Sequence, residues 1–277
     1  MSLLLNFAAT FPSLWLFFVG LLGAIVGSFL NVVVYRLPVM LERQWQREAL
    51  QQLEQPLPES VPVFNLALPR SICPNCFHPV RGRDNIPLLS FIWLKGNAHC
   101  CGARIPGRYP LVELTTAGVF LLASLVYPPG LSLLGAWIFL SVLLALALID
   151  CNTQLLPDIL TLPLLWLGLF FNLQGVFVSV EQALVGAMAG YLCLWGLFWL
   201  FRLTTGKDAL GYGDFKLLAA LGGWLGWQAL PQVLLLAAGS CLIVTLLQYA
   251  LTRKDLNRPL AFGPWLALAG ACNMLMA

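Results

Sequence analysis

Charge is what this chain has least of. Lys, Arg, Asp and Glu make up 10% of its 277 residues, 60% are hydrophobic, and mean hydropathy is +0.84. A soluble domain carries about 25% charged residues, so a water-soluble globular enzyme is excluded in favour of a polytopic membrane protein. No Lys or Arg precedes Arg36. A cleaved secretory signal needs a basic stretch ahead of its apolar core, so the first apolar segment is read as a retained span. Histidine is limited to His78 and His99. No strand precedes the one glycine-rich motif, "GYGDFK", so a dinucleotide-binding fingerprint is absent as well. There is no internal repeat and no low-complexity linker.

Long apolar runs are what the chain does have. A span takes roughly 20 apolar residues. Eight candidates run approximately 13–35, 111–127, 131–150, 158–176, 181–201, 214–230, 232–251 and 259–276. The expected architecture is therefore all-α, with about eight transmembrane helices and a small insert between the first and second. The domains are 1–35 as the first span, 36–110 as the insert and 111–277 as a seven-span bundle. All 15 Lys and Arg residues fall in the insert, between the fifth and sixth spans, or between the seventh and eighth. An eight-span count puts those three segments on one side, so the insert is cytoplasmic and both termini lie outside.

Asp150 closes the third span and Asp214 opens the sixth, both at the cytoplasmic side, with Asp158 and Asp208 nearby. A charge against hydrocarbon costs about 2.5–3.5 kcal/mol on insertion scales, so such residues have a partner or a task. Two close carboxylates share a proton. One then takes a proton from water while the other protonates the carbonyl oxygen or departing amine, which is peptide hydrolysis without a metal. Gly211 and Gly213 would let the backbone approach a substrate strand and tolerate positive φ. Lys216 is either a nearby cation or a snorkelling side chain. Asp158 and Asp214 also stand where helices begin, so N-capping competes with catalysis. Asp150 resists that reading, because a helix C-terminus disfavours an anion. Asp208, beside Lys207, reads as a solvated charge.

The insert carries "CPNC", Cys73 and Cys76, followed by Cys100 and Cys101. Four thiols within thirty residues in a reducing compartment argue for a closed structural metal site rather than disulfides. The stretch 41–55 reads as an amphipathic helix lying on the membrane surface or against the bundle. Glu42 and Glu113 lie near the membrane-facing ends of the insert, where two readings stand, orienting substrate or pairing with a neighbouring arginine, and the arginine pair is the one expected for both.

"GYGDFK" at the start of a span, "LIDCNTQLLPDILTLPLLW" before it, and "GSFLNVVVYRLPVMLE", "CPNC", "NIPLLSF" and "GRYPLVELTTA" in the N-terminal part together resemble the type IV prepilin peptidases, inner-membrane aspartic peptidases of the GxGD kind. The resemblance covers nearly the whole chain. It implies that Asp150 and Asp214 are catalytic. It also implies cleavage of the basic leader of prepilins and pseudopilins, then N-methylation of the new N-terminus with S-adenosylmethionine. Many relatives have two CxxC pairs. The second would fall at 98 and 101, and position 98 here is Ala98, which leaves Cys100 or His99 to complete a zinc set. The implied partners are prepilins and the bilayer, without nucleic acid; oligomeric state is unreadable. Two other readings compete: a peptidase whose insert is only a scaffold, and a small proton-coupled transporter using the same two acids.

Overall fold

The computed structural model describes residues 2–55, 63–73, 75–207, 211–252 and 261–276. Asp208, Arg253, Lys254 and Arg258 lie outside the described residues. The regular structure of the described residues is helical, apart from isolated bridges pairing Ile72 with Pro79 and Asn97 with Arg104. It divides into two compact units, one of Phe7–Leu121 and one of Met1–Asn6 with Leu122–Ala277.

A short helix, α1 (Ser2–Thr10), precedes the long α2 (Pro12–Gln52). Pro12 suits the first position of α2, where its missing N–H costs nothing. The helix crosses position 35 without a break and absorbs most of the stretch expected as a separate surface helix at 41–55. At 41 residues it is about 60 Å long by the usual rise. Two features explain the continuity. Residues 36–52 are rich in good helix formers. The buried Arg36 also straps a loop onto the helix, donating to Asn65 O at 2.8 Å and Pro69 O at 2.7 Å, while Arg43 lies 4.5 Å from the Phe64 ring. That support offsets Pro38, which removes one helical hydrogen bond.

The insert adds a five-residue helix, α3 (Leu89–Trp93), and the chain re-enters a long helix at α4 (Arg108–Val126). Gly23 and Gly27 of α2 face α4 so closely that a Cβ on either would fall 2.7 Å from the Cα of Ala117 or Glu113. Asn31 Nδ2 adds a hydrogen bond to Tyr109 O at 3.1 Å.

The second unit holds α5 (Leu131–Thr153), α6 (Asp158–Leu173), α7 (Val180–Thr205), α8 (Tyr212–Leu225), α9 (Leu230–Thr252) and α10 (Gly263–Met276). A helix covers most of each expected span, and residues 259–260 of the eighth lie outside the described residues. Five segments, α2, α4, α5, α7 and the α9 region, are long and apolar enough to cross a membrane. The others are shorter, with 16 residues in α6 and 14 each in α8 and α10. The sixth span, expected to reach 230, stops at Leu225 because Gly226 turns the chain with φ +78. Shortness is tolerated in α8 because it is wrapped by protein, with Leu217–Trp224 buried throughout. Gly186 of α7 and Gly222 of α8 bring their backbones into direct contact. Trp224, fully buried, packs among Phe139, Phe171 and Phe177 and donates to Leu164 O at 2.7 Å. The buried Asn172 serves the end of α8, donating to Gly223 O and Trp224 O while accepting from the N–H groups of Phe177 and Val178. These contacts fix the depth of α8, and therefore of Asp214 at its other end.

Candidate active site

Asp150 lies in the last turn of α5, where Gln154 adopts the left-handed conformation and closes the helix onto Asp150 O. Asp214 lies in the first turn of α8. Both are buried, at 5% and 7% exposure. The Leu156 side chain packs beside both: its Cδ1 lies 3.1 Å from where a Cβ on Gly263 would stand next to Asp150 Oδ2, and 3.2 Å from where a Cβ on Gly213 would stand, one residue before Asp214. Asp150 Oδ2 is buried with no hydrogen-bond partner among the described residues. A buried carboxylate oxygen left unpaired is costly, and structures keep such groups where they have chemistry to perform.

The capping reading of Asp214 is partly met. Gly211 is the N-cap and has no side chain to offer, and Asp214, three residues on, turns its carboxylate back toward the Gly211 backbone. The glycines act differently from the sequence expectation. Gly211 has φ −77, and neither it nor Gly213 is among the positive-φ residues. Gly213 is small because Leu156 packs against it, 2.7 Å from where a Cβ would be. Asp158 is the first residue of α6, after Pro157 at the cap, and makes no side-chain cap. Lys216 Nζ reaches both oxygens of Asp158 at 2.7 Å, tying α6 to α8. That ion pair accounts for both residues, and Lys216 is committed to Asp158.

Sequence reasoning missed Gly263 and Leu156. Gly263 opens α10 against Asp150, with Leu156 between it and Gly213. The only local signal was the "FGP" triplet, which marks a helix start without saying what it faces.

In the insert, Cys73, Cys76, Cys100 and Cys101 bring their sulfurs within 4.8 Å of one another. Cys76 Sγ is 3.3 Å from Cys100 Sγ, and Cys73 Sγ is 3.7 Å from Cys101 Sγ. Tetrahedral zinc with Zn–S near 2.3 Å would hold its sulfurs about 3.8 Å apart, so the set can bind a metal. Adjacent Cys100 and Cys101 both reach the cluster because Gly102, at φ +68, closes a tight turn onto Ala98. His99, the alternative ligand, lies outside the cluster on the wall of a neighbouring cavity. The Cys76 and Asn75 backbone N–H groups hold the Cys73 thiol down to about 6, whereas hydrogen bonding to Cys76 and burial push Cys100 up to about 12.

That cavity, of about 530 Å³, lies inside the first unit, with Tyr35, Arg36, Asp84, Phe91, Arg104 and Glu113 among its walls. Glu113 does not form the expected arginine pair: it is 8% exposed and accepts the Leu88 N–H at 2.8 Å. Arg36 is engaged by backbone carbonyls instead. Glu42 stays exposed on α2.

Comparison with known proteins now bears on these features. The family model described as "Bacterial Peptidase A24 N-terminal domain" matches residues 21–127, and that described as "Type IV leader peptidase family" matches residues 137–246. A "Prepilin leader peptidase/N-methyltransferase" of Dickeya chrysanthemi is 56% identical over 99% of this chain and 96% of its own length. The chain belongs to the type IV leader peptidase family. Relatives of the same name from Pectobacterium carotovorum and Pseudomonas aeruginosa are 55% and 49% identical, each over 98% of this chain, and cover 96% and 94% of their own lengths. No solved structure matches. Within this family the acids at the ends of α5 and α8 lie in the peptidase match, whereas the thiols and the cavity lie in the N-terminal match.

Proposed function

We propose that this protein is an inner-membrane aspartic endopeptidase that removes the basic leader of type IV prepilins and pseudopilins and then N-methylates the new N-terminal residue. One observation carries the peptidase reading: Asp150 and Asp214, from helices far apart in sequence, are both buried and share one neighbour, Leu156, which packs against Gly263 beside Asp150 and against Gly213 beside Asp214. With one proton between them, the ionised member takes a proton from water as that water attacks the scissile carbonyl. Its partner protonates the oxygen and then the leaving amine. Asp150 Oδ2, buried and without a hydrogen-bond partner among the described residues, suits either role.

The charge pattern supports a cytoplasmic insert with both termini outside, and eight crossings if α6, α8 and α10 span in company with longer neighbours. A prepilin leader precedes an apolar helix, so its scissile bond lies at the membrane boundary, the depth this topology gives both acids. We read residues 1–35, 36–110 and 111–277 as span, insert and peptidase bundle, with α2 continuing from span into insert.

S-adenosylmethionine would supply an electrophilic methyl group. The insert cavity fits it: about 530 Å³ falls within the usual range for ligand sites, Arg81 and Arg104 suit its carboxylate, and the rings of Tyr35 and Phe91 suit its base. The four cysteines would hold structural zinc that folds the wall of this cavity, since Cys73 and Cys100 also line it.

The test is to mix purified protein with a prepilin and S-adenosylmethionine and take the product mass. Loss of the leader and gain of one methyl is the expected result. Leader loss without methyl gain would favour the scaffold reading of the insert, and an intact prepilin would remove the peptidase reading. Family membership gives the transporter reading no support.

A further inference from the structure

We infer that Glu113 is the group that binds the acceptor amine in the insert cavity and takes its proton during methyl transfer, an inference that rests on the methyltransferase reading above. Glu113 lines the cavity and is more than nine-tenths buried. Its backbone is fixed by the close approach of Gly27 on α2. Its hydrogen bond is from a neutral donor, the Leu88 N–H at 2.8 Å, and no ion pair among the described residues includes it. A buried carboxylate held by one neutral donor lacks the compensation that buried charge requires, which is a cation.

Three arginines share the cavity wall with Glu113, namely Arg36, Arg81 and Arg104, and no ion pair among the described residues joins any of them to it. Arg36 is spent on the carbonyls of Asn65, Leu66 and Pro69. The cavity's other acid, Asp84, already lies 3.8 Å from Arg83. The chain also goes to some lengths to aim this carboxylate. Leu88 is held at φ +58 and ψ −47, and Leu89 N–H donates to Pro87 O at 2.6 Å, which closes a rare and strained γ-turn. Strain of this kind persists where the surroundings over-determine it, and it clusters at functional sites. The turn presents the Leu88 N–H to Glu113.

An N-terminal ammonium is the cation that this reaction delivers. It cannot act as a nucleophile until one N–H proton leaves. Glu113 accepts that proton, and the freed lone pair on nitrogen forms the new N–C bond. S-adenosylmethionine, when bound, would supply the methyl group as an electrophile and keep the electron pair of the broken methyl–sulfur bond on sulfur; the product would leave as a secondary ammonium, and Glu113 returns its proton to water.

A purely structural glutamate would need only to accept the Leu88 N–H, which Gln does equally well. Glu113→Gln therefore separates the two roles. The measurement is equilibrium binding, without S-adenosylmethionine, of a short peptide with the N-terminal sequence of a leader-cleaved prepilin, in free-amine and N-acetylated forms, to the full-length protein in detergent. The wild type should prefer the free amine by about 10-fold or more, the scale of one desolvated charge contact. Glu113→Gln should bind both forms alike and methylate at least about 100-fold more slowly, the usual contribution of a proton acceptor. Glu113→Asp, which keeps the charge, should keep the preference. A wild type indifferent to acetylation, or a Glu113→Gln protein that still prefers the free amine, overturns the inference whatever the methylation rate. If the wild type transfers no methyl group to a cleaved prepilin, the methyltransferase reading itself fails, which is a different result.

Discussion

A Cβ atom on Gly263 would stand 2.6 Å from Oδ2 of Asp150, inside the contact distance of carbon and oxygen. The start of α10 therefore serves as a wall of the acidic site, and glycine is what leaves room for the carboxylate.

Gly263→Ala should lower the rate of leader cleavage by about 100-fold, the scale expected when a reacting group is displaced by about an ångström. Gly263 is not a positive-φ glycine, so the backbone accepts alanine and the effect is steric. Initial rates and a thermal melt would check this: kcat should fall while the unfolding temperature moves little.

The Lys216–Asp158 pair should behave as a surface tie. With side-chain exposures of 30% and 56%, its contribution belongs in the range of about 0–1 kcal/mol. Lys216→Ala and Asp158→Ala should each leave cleavage within about 3-fold of wild type on that scale. The double substitution should cost no more than the larger single one. A double-mutant cycle on cleavage rate and melting temperature reads both.

The cysteine cluster should bind one zinc ion per chain. Metal binding requires thiolates, so protons compete and affinity falls as pH is lowered. Cys73, held down to about 6, is ionised at neutral pH and is protonated only below that value, whereas Cys100, pushed up to about 12, must release its proton to bind. Zinc content should thus hold at pH 7.5 and drop below about pH 6, with net proton release on titration. Cys73→Ser should abolish binding and expose the insert to protease, with leader cleavage affected far less.

The α7–α8 crossing should not tolerate even one methyl group. Alanine at Gly186 would meet Gly222 O directly and would also stand 2.8 Å from Trp227 N. Gly186→Ala should cost about 1–3 kcal/mol, the usual penalty for overpacking, seen as a lower unfolding temperature in detergent.

Much of this site was legible in the sequence because its parts are local signals. A carboxylate at the end of an apolar run, a second behind "GYG", and a CxxC followed by "CC" each stand out within a few residues. What escaped depends on meetings between distant segments. The sequence around Gly263 says nothing of Asp150, more than a hundred residues earlier. The continuity of α2 depends on Arg36 finding carbonyls about thirty residues away, so periodicity alone placed a break there. Glu113 looked like half of a salt bridge because arginines are its neighbours in sequence, yet the folded chain gives Arg36 to a loop and leaves Glu113 facing a cavity. Gly211 and Gly213 were noticed, but for conformational freedom rather than for the close packing that Leu156 demands of Gly213.

The central claim is that two buried acids jointly hydrolyse a peptide bond, and the most direct measurement is the product mass from a prepilin incubated with Asp150→Asn or Asp214→Asn protein. Each substitution keeps the side chain's size while removing its ability to hold or give the shared proton. Each variant should leave the prepilin at full mass while remaining inserted and folded. Complete leader removal by either variant would contradict the pairing.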